Sequence, residues 1–126
     1  GPWMFPEDQV SDMPERLLAA EVTREQIYLQ LHKEVPYATA VETETWESLK
    51  NGSTRIRQVV YVQRNSQKAI VLGKDGRRIK SIGAEARKEL ETLFDCKIHL
   101  FLFVKVRENW GENPKIYHDW GLDFNA

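Results

Sequence analysis

The segment Ser66–Leu90 constrains the fold most, because two glycines separate a short apolar run from a strongly periodic one. Gly73 and Gly76 enclose Lys74 and Asp75, and the apolar run before them should form a helix that is capped by the serine. After Gly76, apolar residues recur at spacings of three and four, which predicts an amphipathic helix. Its core stripe consists of Ile79, Ile82, Ala86, Leu90 and Leu93.

Positive charge is concentrated at this loop and on the helix after it. Between Lys68 and Lys88, seven bases stand against two acids, a local balance of +5, whereas the whole chain carries −1. Clustered bases beside the backbone N–H groups of a helix N-terminus are typical of phosphate binding. The alternative is a solvated helix face, which the glycine loop makes the weaker interpretation. The bases are Lys68, Lys74, Arg77, Arg78, Lys80, Arg87 and Lys88.

The first half of the chain predicts a helix and a hairpin. A helix should span about 14–33 and be largely buried, because its apolar residues occupy two adjacent stripes. Residues 37–47 and 54–64 alternate with period two around an Asn-Gly dipeptide, which predicts an antiparallel hairpin. The alternation places Trp46 on the same strand face as Glu42.

The last part of the chain predicts a strand and a short helix. Residues 97–107 are apolar at nearly every central position, which predicts a strand covered on both faces and therefore central in its sheet. A proline at position 114 marks a terminal helix. We predict an interdomain linker over 1–13, one α+β domain over 14–107 and a C-terminal helical extension over 108–126.

Composition sets outer limits on these predictions. With 126 residues, 41% of them hydrophobic, the chain can bury one core. The longest apolar run, 98–104, is far shorter than the roughly 20 residues that span a bilayer, so no integral membrane segment is expected. Cys96 is the only cysteine, which excludes an internal disulfide and suits a reducing compartment.

The sequence carries no recognisable catalytic motif. The glycine-lysine pair of the loop lacks the other residues of a nucleotide P-loop, and no dense acidic cluster suggests a two-metal nuclease. Cys96 and His99 could form a nucleophile or metal pair, but without a third ligand packing is the simpler interpretation. Trp46, Trp110 and Trp120 could stack on bases, and packing is again favoured. We therefore expect no catalytic residue and no bound metal in this chain.

A loop of this kind can bind single-stranded nucleic acid. Without Cβ atoms at Gly73 and Gly76, backbone N–H groups can approach a phosphodiester, and the helix dipole favours an anion there. Ile70, Val71 and Ile79 would form an apolar floor for bases, and the second strand of the hairpin would form the opposite wall. Because only unpaired bases can enter such a groove, single-stranded RNA is the expected ligand.

The loop GKDG in this position resembles that of the type II K-homology (KH) fold. The surrounding sequence resembles the C-terminal KH domain of the Era family of bacterial GTPases. This resemblance implies an αββααβ order, with a three-stranded mixed sheet packed against helices and an extra C-terminal helix. The resembling segments are 5–12, 14–26, 35–37, 66–87 and 104–110.

The resemblance also implies a function. The ligand would be the single-stranded 3′ end of 16S rRNA during maturation of the 30S subunit, in the cytoplasm or at the surface of the inner membrane. This chain would need no cofactor, whereas a G domain of the same protein would bind GTP and Mg²⁺ and be a further partner. A KH-like protein-interaction module without RNA binding is the alternative. The expected RNA contacts are Ser66, Lys68, Ile70, Val71, Gly73, Lys74, Asp75, Gly76, Arg77, Arg78, Ile79, Lys80 and Arg87.

Asp75 departs from the family pattern, which usually has glycine here. Its carboxylate could repel a phosphate. Alternatively it could turn away and cap the helix that follows the loop. We favour the cap.

Overall fold

The computed structural model describes residues 13–31, 33 and 39–107. The order of elements is helix, two strands, two helices and a strand, as the sequence predicts. A single 3₁₀ turn, Lys74–Gly76, separates the second and third helices. The elements are α1 (Met13–Leu31), β1 (Ala40–Ser48), β2 (Thr54–Val62), α2 (Asn65–Leu72), α3 (Arg77–Phe94) and β3 (Ile98–Val106). The predicted linker and C-terminal helix, with Trp110 and Trp120, lie outside the described residues.

The sheet has the strand order β1-β2-β3, and β2 is its central strand. The predicted hairpin is confirmed, since β1 and β2 pair antiparallel around a turn in which Gly52 has φ +90°. The prediction that the last strand is central was wrong, because β3 pairs parallel with β2 and lies at the sheet edge. Its apolar run does not mean burial on both faces: Phe101 and Phe103 are 49% and 40% exposed.

A β-bulge in β1 changes which residues face the core. The register with β2 shifts between Thr43 and Thr45, so one residue is left without a partner. Beyond the bulge the alternation is inverted, which moves Trp46 away from the face of Glu42 and onto the core face. There the indole meets the ring of Phe94 edge-on, with 5.3 Å between ring centroids. The packing interpretation of this tryptophan is confirmed, but its predicted strand face was wrong.

The helices cover one face of the sheet and bury two adjoining apolar clusters. The predicted core stripe of α3 is confirmed at its centre, where Ile82, Ala86 and Leu90 are fully buried, while Leu93 at its end is 49% exposed. One cluster contains Ile27, Leu31, Val60, Val62, Val71, Ile82 and Val104. The other contains Ala19, Val22, Ile56, Ala86, Leu90 and Ile98.

A buried polar chain joins α1 to the sheet. The hydroxyl of Thr23 donates to Oε1 of Gln58 at 2.5 Å, and Nε2 of Gln58 donates to the hydroxyl of Thr43 at 3.1 Å. The Thr43 hydroxyl in turn donates to the backbone carbonyl of Arg16 at 2.9 Å. Since both Thr23 and Gln58 are fully buried, these bonds satisfy groups that would otherwise destabilise the core.

The prediction that α1 is largely buried holds for only one of its faces. Ala19, Ile27 and the other core residues pack on the sheet and α3, but Leu17 is 67% and Tyr28 is 59% exposed. Leu18 and Leu29 are exposed as well. In the described ranges, no helix has the length and apolar character that crossing a bilayer requires.

Candidate nucleic-acid interface

The helix before the loop begins at Asn65, two residues earlier than a cap at Ser66 predicts, and Ser66 does not cap it. Arg64 is the N-cap residue, and its carbonyl accepts the first helical hydrogen bonds. The side-chain oxygen of Gln67 reaches back and accepts N–H bonds from Gln63 and Arg64, each at 2.9 Å. This contact is the glutamine half of a capping box. The sequence feature that marks the start of this helix is therefore Gln67, its third residue. Ser66 lies exposed in the first turn.

The two loop glycines serve different structural purposes. Gly73 has φ +74° and ψ 176°, and a Cβ atom there would lie 2.6 Å from Cβ of Arg78 and 2.8 Å from its backbone nitrogen. Gly76 has φ +74° and ψ 14°, but a Cβ atom there would meet nothing within 4 Å. A hydrogen bond of 3.1 Å from the N–H of Gly76 to the carbonyl of Gly73 closes the loop. Gly73 therefore permits close packing, whereas Gly76 leaves open space above the backbone.

The predicted cap by Asp75 is absent. Helix α3 begins at Arg77 with Gly76 as its N-cap, and no side chain makes a cap hydrogen bond there. Asp75 itself adopts φ +56° and ψ 27°, a left-handed conformation that aspartate tolerates better than most residues. Its side chain is exposed beside the N-terminus of the helix.

The basic residues divide into an unpaired and a paired group. Arg87 contacts both carboxylate oxygens of Glu91 at 3.2 Å, and Lys88 contacts Glu85 at 3.2 Å. By contrast, no described carboxylate lies within ion-pair distance of the bases in the loop and the first turn of α3. The unpaired bases there are Lys74, Arg77, Arg78 and Lys80, all exposed. Uncompensated positive charge is thus concentrated at the helix N-terminus.

A groove of about 430 Å³ runs between α3 and β3. The predicted opposite wall, the second strand of the hairpin, was wrong, because β2 is the central strand and, among the described strands, β3 borders α3 in this groove. Small residues on α3, Gly83 and Ala84, leave the groove open, and a Cβ atom on Gly83 would lie 3.5 Å from Leu102. The groove is lined by Ile79, Lys80, Gly83, Ala84, Arg87, Leu100, Phe101, Leu102 and Phe103.

An ionic contact ties α3 to the start of β3 beside the groove. The carboxylate of Glu91 accepts the N–H of Ile98 at 3.0 Å as well as the guanidinium of Arg87. The backbone hydrogen bond, followed by the bond from Arg87, lowers the pKa of Glu91 below its usual value. Arg87 is therefore held by this carboxylate at one end of the groove, with its side chain 40% exposed.

The predicted contact residues are only partly brought together. Ile79, Lys80 and Arg87 line the groove, and the loop residues lie outside its lining, directly before the first turn of α3. Val71, predicted as part of the groove floor, is fully buried in the core, and Ile70 packs against the same cluster. Ser66 and Lys68 lie on α2 outside the groove lining. Sequence reasoning missed six residues of the lining, and the adjacent small residues of α3 were the available signal. The six are Gly83, Ala84, Leu100, Phe101, Leu102 and Phe103.

The Cys96 and His99 pair lies apart from the groove lining. Cys96 packs against the second apolar cluster, with its sulfur 3.7 Å from the hydroxyl of Thr54. His99 is half-buried on β3. Across the described stretches of chain, no three His, Cys, Asp or Glu side chains come together as a metal site.

A mixed three-stranded sheet with helices on one face and a two-glycine loop between two of them is the fold of a KH domain. The chain belongs to the KH domain family, whose model matches residues 34–111. It is 61% identical over 124 residues to GTPase Era of Brucella suis and 60% identical to GTPase Era of Sinorhizobium medicae, in each case over 98% of this chain and 40% of the relative. The matched region is the C-terminal part of Era.

Two solved structures have the same fold. One is Aquifex aeolicus Era bound to GDP and AlF₄⁻, with a TM-score of 0.77 and 36% identity over 96% of this chain and 41% of that one. The other, with the same TM-score, identity and coverage, is Era in complex with MgGDPNP and nucleotides 1506–1542 of 16S ribosomal RNA. The chain thus spans about 40% of the length of the relatives that it matches.

Proposed function

We propose that this chain binds single-stranded RNA in the groove between α3 and β3. The observation that carries the proposal is the unpaired group of Lys74, Arg77, Arg78 and Lys80 at a helix N-terminus without a side-chain cap. Phosphates would satisfy both the cationic side chains and the N–H groups of the first helical turn. The loop and first turn therefore position the RNA backbone, which carries no sequence information.

The groove itself suits unpaired bases. Apolar side chains of β3 line one side of the groove and small residues of α3 line the other, so planar bases can lie between the two elements. In the described part of the chain only β2 pairs with β3, which leaves the outer edge of β3 open. Backbone N–H and C=O groups along that edge can bond the exposed edges of bases.

For the specific role, the relatives supply the support. Era has been solved with nucleotides of 16S ribosomal RNA, and this chain resembles it across 96% of its length. We propose that the chain is the RNA-binding part of an Era-like GTPase, that its ligand is the single-stranded 3′ end of 16S rRNA, and that it acts in the cytoplasm during maturation of the 30S subunit. GTP and Mg²⁺ would bind to a G domain outside this chain.

The experiment is a binding titration with matched glycine variants. A labelled oligoribonucleotide matching the 3′ end of 16S rRNA is titrated with the chain by fluorescence anisotropy, beside scrambled and duplex RNAs, over a salt series. If four cations each neutralise one phosphate, log K against log salt should have a slope of about −3. Gly76→Asp should abolish binding and leave the far-ultraviolet circular dichroism unchanged, because the site has room for a side chain.

Gly52→Asp provides the matched control. Gly52 also has positive φ and open space, but it lies in the hairpin turn and outside the groove lining. It should bind RNA as the unchanged protein does. Binding that is absent or insensitive to salt would defeat the proposal and favour a KH-like protein-interaction module. Equal loss in both variants would show that the effect is not specific to the loop.

A further inference from the structure

The sheet face opposite the helices carries exposed aromatic rings on its edge strand. Phe101 and Phe103 point to this face, alternating with Leu100 and Leu102, which face the groove side. Their side chains are 49% and 40% exposed, which is unusual for two phenylalanines on one strand. Both also line the rim of the groove. The edge of β3 therefore separates the proposed RNA groove from an aromatic surface.

The two rings differ in what covers them. The guanidinium of Arg57 lies 4.3 Å from the centroid of Phe103, and Glu44 holds that guanidinium at 3.4 Å. Arg57 is the register partner of Phe101 on the neighbouring strand. Among the described residues Phe101 has no ring or cation contact of its own. The ring of Phe101 is therefore uncovered, and it lies next to the guanidinium of Arg57, which stacks on Phe103.

The carboxylates of this sheet face lie on β1, where Glu44 and Glu47 are paired with Arg57 and Arg55, so the charge suits a polyanion only on the β3 side of the face. Lys105 follows the two rings on the same face of β3 and is exposed. Across the edge, Lys80 lies on the other side of the groove. A nucleic acid strand that fills the groove and crosses the edge of β3 would pass between cations on both sides. In the described ranges no further strand pairs with the outer edge of β3 along that path.

We propose that Phe101 is a second base-stacking site, which binds nucleotides that continue from the groove across the edge of β3. The proposal rests on the RNA-binding function proposed above, and it extends the RNA footprint from the groove to the open face of the sheet. An aromatic ring beside an arginine stacks with any of the four bases, because every base presents a π face. The site should therefore add affinity in proportion to RNA length and with little preference for sequence.

The test compares Phe101→Ala with the unchanged protein on RNAs of increasing length. Single-stranded RNAs matching the 3′ end of 16S rRNA, lengthened in steps from four to ten nucleotides, are titrated by anisotropy at one salt concentration. Loss of one stacked base should weaken the longest RNA about tenfold, and leave the shortest RNAs within about twofold. Phe101→Trp should restore the affinity for long RNA. Leu17→Ala, on an exposed residue of α1, is the control and should change neither.

Each other outcome overturns the proposal. An equal loss at every length would place Phe101 in the groove contact itself, and no loss at any length would remove it from the RNA site. A dimer that sediments in the unchanged protein but not in Phe101→Ala, with RNA affinity unaffected, would assign the surface to protein contact. Failure of Gly76→Asp to reduce binding would instead refute the groove proposal, so the two results can be distinguished.

Discussion

The two loop glycines allow a sharp comparison, because they share one motif and nearly the same φ but differ in their surroundings. Alanine at position 73 would need a backbone with φ +74° and ψ 176°, and its methyl group would clash with Arg78. Alanine at position 76 would need φ +74° and ψ 14° in open space. We expect Gly73→Ala to destabilise the chain strongly and Gly76→Ala only mildly.

The expected magnitudes follow from these two geometries. The conformation at Gly73 is almost exclusive to glycine and costs other residues about 1–3 kcal/mol. The contact at 2.6 Å requires the first turn of α3 to move, at an overpacking cost of about 1–3 kcal/mol. The stiffer unfolded chain offsets about 0.4–1 kcal/mol, so the net loss is about 3 kcal/mol. For Gly76 the left-handed cost of about 1–2 kcal/mol, less the same offset, leaves about 1 kcal/mol.

Urea unfolding followed by far-ultraviolet circular dichroism measures this difference. With an m-value of about 1 kcal/mol per molar urea for a small domain, a gap of about 2 kcal/mol should separate the two midpoints by about 2 M. The unchanged protein should unfold last, Gly76→Ala shortly before it, and Gly73→Ala well before both. Coincident midpoints for the two variants, or the reverse order, would refute the assignment of close packing to Gly73 alone.

Three further predictions concern other side chains. Asp75→Gly should raise RNA affinity by less than about tenfold in an anisotropy titration at fixed salt; a larger gain would indicate direct repulsion of a phosphate. Because folding lowers the pKa of Glu91, the ionised carboxylate stabilises the fold at pH values above the usual pKa of about 4.5, and this stabilisation is lost as the pH falls through the lowered pKa. Glu91→Gln should therefore destabilise the chain at pH 7. It should also flatten the acid side of a plot of urea midpoint against pH. Thr23→Val leaves the buried oxygen of Gln58 unsatisfied and should cost about 1–3 kcal/mol in urea unfolding, whereas the exposed Thr92→Val should cost less than about 0.5 kcal/mol.

Local patterns in the sequence determined most of the fold, and the failures share one cause. Each helix and strand of the described chain was predicted, because periodicity and turn residues act over short distances. The order of the strands, by contrast, depends on which side of β2 the chain reaches after it has passed through α2 and α3. An apolar run such as that of β3 is compatible with a central strand and also with an edge strand whose outer rings are exposed. The β-bulge before Trp46 has a similar cause. It reverses which face of β1 the later residues occupy, and it depends on the pairing with β2, which the sequence of β1 alone does not reveal.

The candidate site was predicted at its loop and mispredicted at its walls. Glycines, flanking bases and the helix start are encoded within a few consecutive residues, so the loop and the start of α3 could be predicted directly. The predicted groove wall depended on the strand order. Because β3 was wrongly predicted to be central, β2 was wrongly predicted to form the wall. Val71 and Ile70 are adjacent on a short helix, and only the packing of α2 on the sheet decides that Val71 is fully buried.

The resulting site separates fixed parts from parts left for the ligand. Arg78 packs against Gly73, and Glu91 ties Arg87 and the start of β3 together, so the loop and one end of the groove are held by contacts within the protein. The unpaired cations, the uncapped N–H groups of α3 and the open edge of β3 are not used by any described contact. Of the unpaired cations Lys80 lines the groove, and the others lie in the loop and first turn of α3 directly before it. A groove whose walls are fixed in advance pays little to be ordered on binding, which favours an RNA that supplies both phosphates and unpaired bases.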